Sequence, residues 1–237
     1  MKKIGIMGAL QVEIDILLEK MDAHEKRTVA GFPFYCGKLY GNEVIITCCG
    51  VGKVNAAACT QALIDKFGVN YIINTGIAGS IRSEIRVCDV VISSDVTHHD
   101  VRKDQMTSLF PFQEVFQANG ELIQMAKEAC MSTLEKNKHH IGRIVSGEAF
   151  VSTTQLKNDI KEAYQPACVE MEGSAIGHVA FLNDVPFVVI RSISDNADEE
   201  AEMSFEAFEE IAAHQSAGVV LEMVKQMNLS EGYVKRS

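Results

Sequence analysis

Short apolar runs alternate along the chain with stretches of helical periodicity. Lys3 to Gly8 reads as a strand. Gln11 to Asp22 reads as a helix, with Val12, Ile14, Leu17, Leu18 and Met21 mostly on one face. Phe32 to Tyr40 and Glu43 to Cys49 read as a strand pair with its turn at Gly41-Asn42. Gly52 opens a helix through about Phe67, and Tyr71 to Thr75 is a buried strand ended by Gly76. Cys88 to Ser93 and His140 to Val145 read as strands, with an irregular stretch at 98–118 and a helix from Gly120 to about Leu134 between them. Thr153 to Ala163 is a short helix, Val169 ends a strand, and Met171 to Leu182 is helical. Pro186 to Ile193 is a strand, followed by an acidic loop from Asp195 to Glu202. Ser204 is the expected cap of a long helix reaching about Met227, with the last ten residues frayed.

This alternation predicts an α/β protein. Its core is a central, mixed, mostly parallel twisted sheet flanked by helices. No linker, repeat or low-complexity tract divides the 237 residues, so residues 1–237 are expected to form a single domain.

Charge and cysteine content narrow the function. A net charge of −10 argues against nucleic-acid partners, which need clustered Lys and Arg. No apolar stretch approaches the roughly 20 residues of a membrane span. The run from Ile4 to Leu10 is too short for a signal peptide and leads at once to Glu13 and Asp15, so a cytoplasmic location is expected. Seven cysteines without a C-x-x-C pair predict free thiols.

Several motifs invite chemistry. Gly50-Val51-Gly52-Lys53-Val54-Asn55 follows a strand and opens a helix, but it lacks the third glycine and downstream acid of a dinucleotide site. A tight strand-to-helix turn accounts for it better. His98-His99-Asp100 resembles a metal cluster, yet adjacent side chains on extended backbone point to opposite faces. No metal is expected, and no G-x-S-x-G elbow is present. Asn74 to Ser80, Glu170-Met171-Glu172 and Ser194-Asp195 all follow strands, where open α/β sheets bind ligands. Each also has a bland reading as a packing turn, helix-dipole acids or a turn cap. Glu13, flanked by Val12 and Ile14, reads on its own as a surface acid.

Taken together, the segments resemble the purine nucleoside phosphorylase superfamily. More narrowly they are similar to its 5′-methylthioadenosine/S-adenosylhomocysteine nucleosidases. The matching stretches are Ile4 to Ala9 with Glu13, Gly50 to Val54, Ile73 to Gly79, Val145 to Phe150, Val169 to Glu172 and Val188 to Asp195. The resemblance implies a nucleoside phosphorylase-like fold and hydrolysis of a purine nucleoside without metal or cofactor.

The resemblance also implies roles. Asp195 would protonate adenine N7, Glu13 would activate water, and Glu172 would hold the ribose diol beside Met171. Phe150 would stack on the purine and the Val151 backbone would read its edge. Gly79, Ala78 and Ser194 would lie against the substrate, with Leu10 and Val51 lining the alkylthio pocket. A homodimer is expected, with Phe110 and Phe112 as lid candidates from the neighbouring subunit.

Phosphorylase relatives carry an arginine after the first strand. Gly8 to Lys26 contains none, which favours water over phosphate. A related phosphorylase, a futalosine-type hydrolase and an inactive nucleoside-binding protein remain the alternatives. Two departures stand out: Ile77, where many relatives have a small polar residue, and Cys88, in place of a usual glycine.

Overall fold

A computed structural model describes residues 2–234, and side chains as far as Met227. The first half of the chain builds the left side of one sheet. β1 (Lys3–Gly8) pairs in parallel with β4 (Asn42–Cys48). Between them the chain makes a short 3-10 turn at Gln11–Glu13, helix α1 (Asp15–Lys20), and strands β2 (His24–Val29) and β3 (Phe32–Leu39). β2 was not expected, because its His-Glu-Lys-Arg-Thr-Val sequence carries no apolar face. It is the outer edge of the sheet, where charged side chains suit a strand exposed on both faces.

The expected helix from Gln11 to Asp22 is broken at Ile14, whose φ of −116° leaves the helical range. The break turns the Glu13 carboxylate inward, and Glu13 is 97% buried, as its 3% exposure states. A surface position for this acid is therefore corrected.

α2 (Lys53–Phe67) crosses over to β5 (Tyr71–Ser80), which lies parallel to β1. The sequence predicted β5 to stop at Thr75. It instead continues through Gly76-Ile77-Ala78-Gly79-Ser80, because these residues have a strand partner throughout. β6 (Val90–His98) likewise runs past the expected end at Ser93. The stretch after it holds a six-residue helix, α3 (Lys103–Ser108), and a three-residue strand, β7 (Val115–Gln117).

α4 (Gly120–Thr133) is capped by Asn119, whose side chain accepts from the amides of Glu121 and Leu122. β8 (His139–Ser146), α5 (Thr154–Tyr164), β9 (Cys168–Glu170) and α6 (Gly173–Leu182) follow. α6 begins after Glu172 rather than at Met171, leaving that acid at the helix entrance. β10 (Phe187–Asp195) closes the strand set.

The strand order is β10-β6-β8-β9-β5-β1-β4-β3-β2, with β7 on β6. β10 also pairs in parallel with β5. Strands β5, β10, β6, β8 and β9 therefore form a closed circuit, while β1 to β4 extend from it as a twisted flap. The expected mixed sheet is present, its strand pairings divided evenly between five parallel and five antiparallel. α2 and α6 pack on one face, and α1, α4 and α7 (Ala201–Val234) on the other. α7 begins three residues before Ser204, so Ser204 lies inside the helix, its amide bonded to the Glu200 carbonyl. The expected fraying of the last ten residues is not seen through Val234, and residues 235–237 lie outside the described residues.

α7 is fastened to the sheet by Ser216, which is fully buried. Its hydroxyl meets Thr75 Oγ1 at 2.8 Å, accepts from the Gly76 amide and donates to the Ile190 carbonyl. The seven cysteines are all free.

Cys88 adopts a left-handed backbone, with φ of 65°. That conformation suits the glycine which the resemblance led us to expect there. Cys88→Gly should therefore stabilise the protein by about 0.5–1 kcal/mol, the left-handed strain relieved less the extra flexibility of the unfolded chain. Urea unfolding monitored by circular dichroism measures this, and an unchanged or lowered midpoint contradicts it.

Candidate active site

The carboxyl ends of β1, β5, β9 and β10 converge on a cavity of about 550 Å³. Three acids that lie far apart in sequence, Glu13, Glu172 and Asp195, all line it. Leu10, Val51, Ala78, Gly79, Phe150, Met171 and Ser194 line it too. Val151 is not among the lining side chains; it is buried in a small apolar cluster with Val145 and Val169. Phe110 and Phe112 are exposed and lie outside the cavity wall.

Glu13 is fixed by backbone amides. Its Oε2 accepts from Ala9 at 2.6 Å and Leu10 at 3.0 Å, and its Oε1 from Ile77 at 3.0 Å. Burial pushes its carboxyl above the usual range; nearby Arg191 and the three amides oppose this and are outweighed. Its proton affinity is thereby moved towards neutrality, as a general base requires.

Glu172 receives the Gly52 amide at 2.8 Å on Oε1. The Gly50-Val51-Gly52 segment, read in the sequence as a tight strand-to-helix turn, thus also places a donor on the acid. Gly50 and Gly52 take φ of 79° and 98°, conformations that favour glycine, and so aim an amide at the acid. Burial, reinforced by the neighbouring charge of Glu170, raises the Glu172 carboxyl to about 8.

Glu170 behaves oppositely. Burial alone would push it up, but the Arg191 guanidinium and hydrogen bonds outweigh that and hold it below the usual range. Its partners are Arg191 Nη2 at 2.5 Å, the amides of Glu172 and Gly173, and the Ser146 hydroxyl. Glu170 is therefore a structural anion, although it touches the cavity wall.

No role for Arg191 follows from the sequence alone. The residue lies within the apolar strand β10 and is 1% exposed. It bonds Asn74 Oδ1 at 2.7 Å and stands 3.7 Å from Glu172 Oε2. Gly76 makes room for this cluster: a Cβ there would lie 2.5 Å from Glu13 Oε1 and 2.6 Å from Arg191 Nη1. The one available signal was an arginine inside an otherwise apolar strand.

Asp195 emerges where β10 shifts register between Ile193 and Asp195, placing Asp195 opposite Gly79. Such an irregularity re-aims a side chain. Gly79 leaves room for this carboxyl, since a Cβ there would sit 2.7 Å from Asp195 Oδ1 and one of the two would have to shift. The Ser194 hydroxyl donates to Asp195 Oδ2 at 2.8 Å and the Ala197 amide to Oδ1 at 2.8 Å. Burial nonetheless raises its carboxyl above the usual range.

The apolar part of the wall includes residues the sequence reading missed. Phe205 meets Phe150 edge-on, with ring centres 5.8 Å apart. Ile77 packs with Leu10, Val12 and Phe205 against Ala212 and Ala213 of α7. Glu202 and Glu206, from the first turns of α7, also line the cavity.

The His98-His99-Asp100 run disperses. His98 Nδ1 meets Ser174 Oγ at 2.8 Å, and burial lowers its imidazole to about 4. Asp100 pairs with Lys53 and accepts the Glu148 amide. Among the described residues no group of three potential ligands is placed to hold a metal.

Residues 3–225 match the phosphorylase superfamily. A 5′-methylthioadenosine/S-adenosylhomocysteine nucleosidase of Staphylococcus aureus is 41% identical over 231 residues, spanning 94% of this chain and all of that protein. The chain belongs to this nucleosidase family within the phosphorylase superfamily. Among solved structures, the Neisseria meningitidis nucleosidase in complex with methylthio-immucillin-A superposes with a TM-score of 0.91. It is 35% identical and covers 95% of this chain and all of that one. The futalosine hydrolase of Helicobacter pylori also superposes, with a TM-score of 0.89, 32% identity and coverage of 95% of this chain and 98% of that one.

The raised Glu172 carboxyl has a thermodynamic consequence. A folded-state pKa above the unfolded one favours the folded state at low pH, and that contribution disappears as pH rises through the folded value. Between about pH 4.5 and 8 the unfolded state releases this proton while the folded state keeps it, so stability falls. Thermal midpoints of wild type should accordingly decline more steeply from pH 5 to 8 than those of Glu172→Gln. Parallel profiles contradict the assignment.

Proposed function

We propose that the chain hydrolyses the N-glycosidic bond of 5′-methylthioadenosine and S-adenosylhomocysteine, and of 5′-deoxyadenosine, releasing adenine. The observation that carries this reading is the placing of Glu13, Glu172 and Asp195 around one cavity with the Phe150 ring. Cleavage of such a bond leaves positive charge on the sugar and negative charge on the base. A pocket that serves it needs a proton donor at the base, a proton acceptor for water, and anionic groups near the sugar.

Asp195 is the donor to purine N7. Its raised carboxyl favours the protonated form needed for donation. Ser194 and the Ala197 amide fix its orientation. Glu13, held by three amides, accepts the proton of the attacking water. Glu172 binds the 2′- and 3′-hydroxyls beside Met171, and Glu170, which stays an anion, adds negative charge on the same side of the cavity. Phe150 stacks on the purine, the Val151 backbone reads its edge, and Gly79 and Ala78 let the ligand approach the sheet closely. Leu10 and Val51 receive the 5′-thioether.

The reading includes a homodimer in a cytoplasmic setting. In it, Phe110 and Phe112 of one subunit would cover the pocket of the other. Both side chains are about 70% exposed in the single chain, at 72% and 68%, which leaves them available for that role. No helix among the described residues is long and apolar enough to cross a membrane.

Adenine release from methylthioadenosine in phosphate-free buffer tests the activity, and its absence overturns the reading. Asp195→Asn keeps the shape of the side chain but removes the carboxyl proton. It should lower kcat by about 10²–10⁴-fold, the usual contribution of a general acid, while leaving the circular dichroism spectrum unchanged. A variant with near-normal kcat removes Asp195 as the acid.

A further inference from the structure

The 5′-substituent faces more of the cavity wall than Leu10 and Val51 alone. With the purine at Asp195 and Phe150, the diol at Glu172 and the water at Glu13, the sugar's 5′-carbon must point to what remains. That is the apolar surface of Leu10, Val51, Ile77 and Phe205, with Glu202 and Glu206 beside it at the start of α7. Ile77 anchors this wall by packing between the turn that carries Leu10 and Val12 and the face of α7.

The charges around the cavity are one-sided. Its lining includes six carboxylates, from Glu13, Glu170, Glu172, Asp195, Glu202 and Glu206, and no lysine, arginine or histidine. Four of them are buried groups whose charge is matched or suppressed within the site. Glu202 and Glu206 are different. Both are solvent-exposed carboxylates at the mouth of the helix rather than groups enclosed in the site. They stand one helical turn apart, flanking Phe205, and therefore share one face of α7. The apolar wall they border offers no hydrogen-bond donor side chain to an anion.

Building on the nucleosidase reading, we propose that Glu202 and Glu206, set beside the donor-free wall of Ile77, select the 5′-substituent by charge. Uncharged thioethers and groups ending in an ammonium enter, and groups ending in a carboxylate or phosphate are rejected. Ile77 makes the wall purely apolar, so a terminal anion loses its hydration without gaining a partner. The two glutamates add a like-charge penalty. A homocysteine tail carries both an ammonium and a carboxylate, and therefore gains at one end what it loses at the other.

Three adenosine 5′-thioethers of similar length test this: propylthio, 2-aminoethylthio and carboxymethylthio. Adenine release gives kcat/KM for each in wild type and in the Glu202→Gln/Glu206→Gln double variant. Selectivity is the ratio between substrates within one protein, so any change in overall activity cancels. In wild type at 0.01 M ionic strength the propylthio compound should exceed the carboxymethylthio compound by about tenfold or more, and the aminoethylthio compound should at least equal the propylthio one. The ratio should shrink as salt shortens the screening length from about 30 Å to about 10 Å at 0.1 M. It should also fall at least about threefold in the double variant. Equal use of the carboxylate and neutral substrates at low salt overturns the proposal, as does a ratio that the double variant leaves unchanged. Should that variant fail to fold, the salt dependence in wild type decides alone. Cleavage of all three alike defeats the charge selection and leaves the nucleosidase reading standing; cleavage of none defeats both.

Discussion

The site depends on one constraint: several carboxylates are buried around a single guanidinium. Arg191 carries one positive charge into a region shared by Glu13, Glu170 and Glu172. Buried charge is costly unless it is paired and hydrogen-bonded. The arginine cannot neutralise all three, and the structure resolves the competition by geometry. Glu170 receives the close ion pair, two amides and a hydroxyl, and remains an anion. Glu172, 3.7 Å from the same guanidinium with one amide as partner, is left with a carboxyl raised to about 8. Two adjacent acids in one short segment thus acquire opposite properties from their surroundings.

Much of the local backbone serves this division. Gly76 vacates the space that Glu13 and Arg191 occupy, and Gly79 does the same for Asp195. Asn74 holds the guanidinium from the neighbouring strand, and Gly52 turns an amide towards Glu172. Ser216 ties α7 to β5 and β10, the two strands that carry most of these groups. The result is a cavity lined by carboxylates and by no cationic side chain, with the Arg191 guanidinium outside that lining and paired to Glu170. Such a cavity suits a neutral nucleoside and a water molecule. It offers phosphate no cationic side chain to pair with.

Legibility in the sequence followed the physics of each element. Strands buried on both faces announce themselves as apolar runs, so β1, β4, the first half of β5 and nearly all of β10 were placed from pattern alone. β2 was invisible because an edge strand exposed on both faces needs no apolar residues. The second half of β5 looked like a turn, since its glycines and small residues mark close packing by distant side chains rather than a bend. Glu13 looked like a surface acid because its three amide partners come from Ala9, Leu10 and Ile77, contacts that only the folded backbone creates. Asp195 and Glu172 were placed by their positions at strand ends. Arg191, Phe205 and Glu202 were missed, because their importance lies in what surrounds them rather than in any local motif.

The central claim is that this carboxylate-lined pocket uses water as the nucleophile. It is tested most directly by following the cleavage of methylthioadenosine in excess inorganic phosphate by phosphorus NMR, with adenine measured in parallel. The account predicts that adenine accumulates while inorganic phosphate remains the sole phosphorus signal. A growing sugar 1-phosphate resonance, matched to the adenine formed, would contradict it.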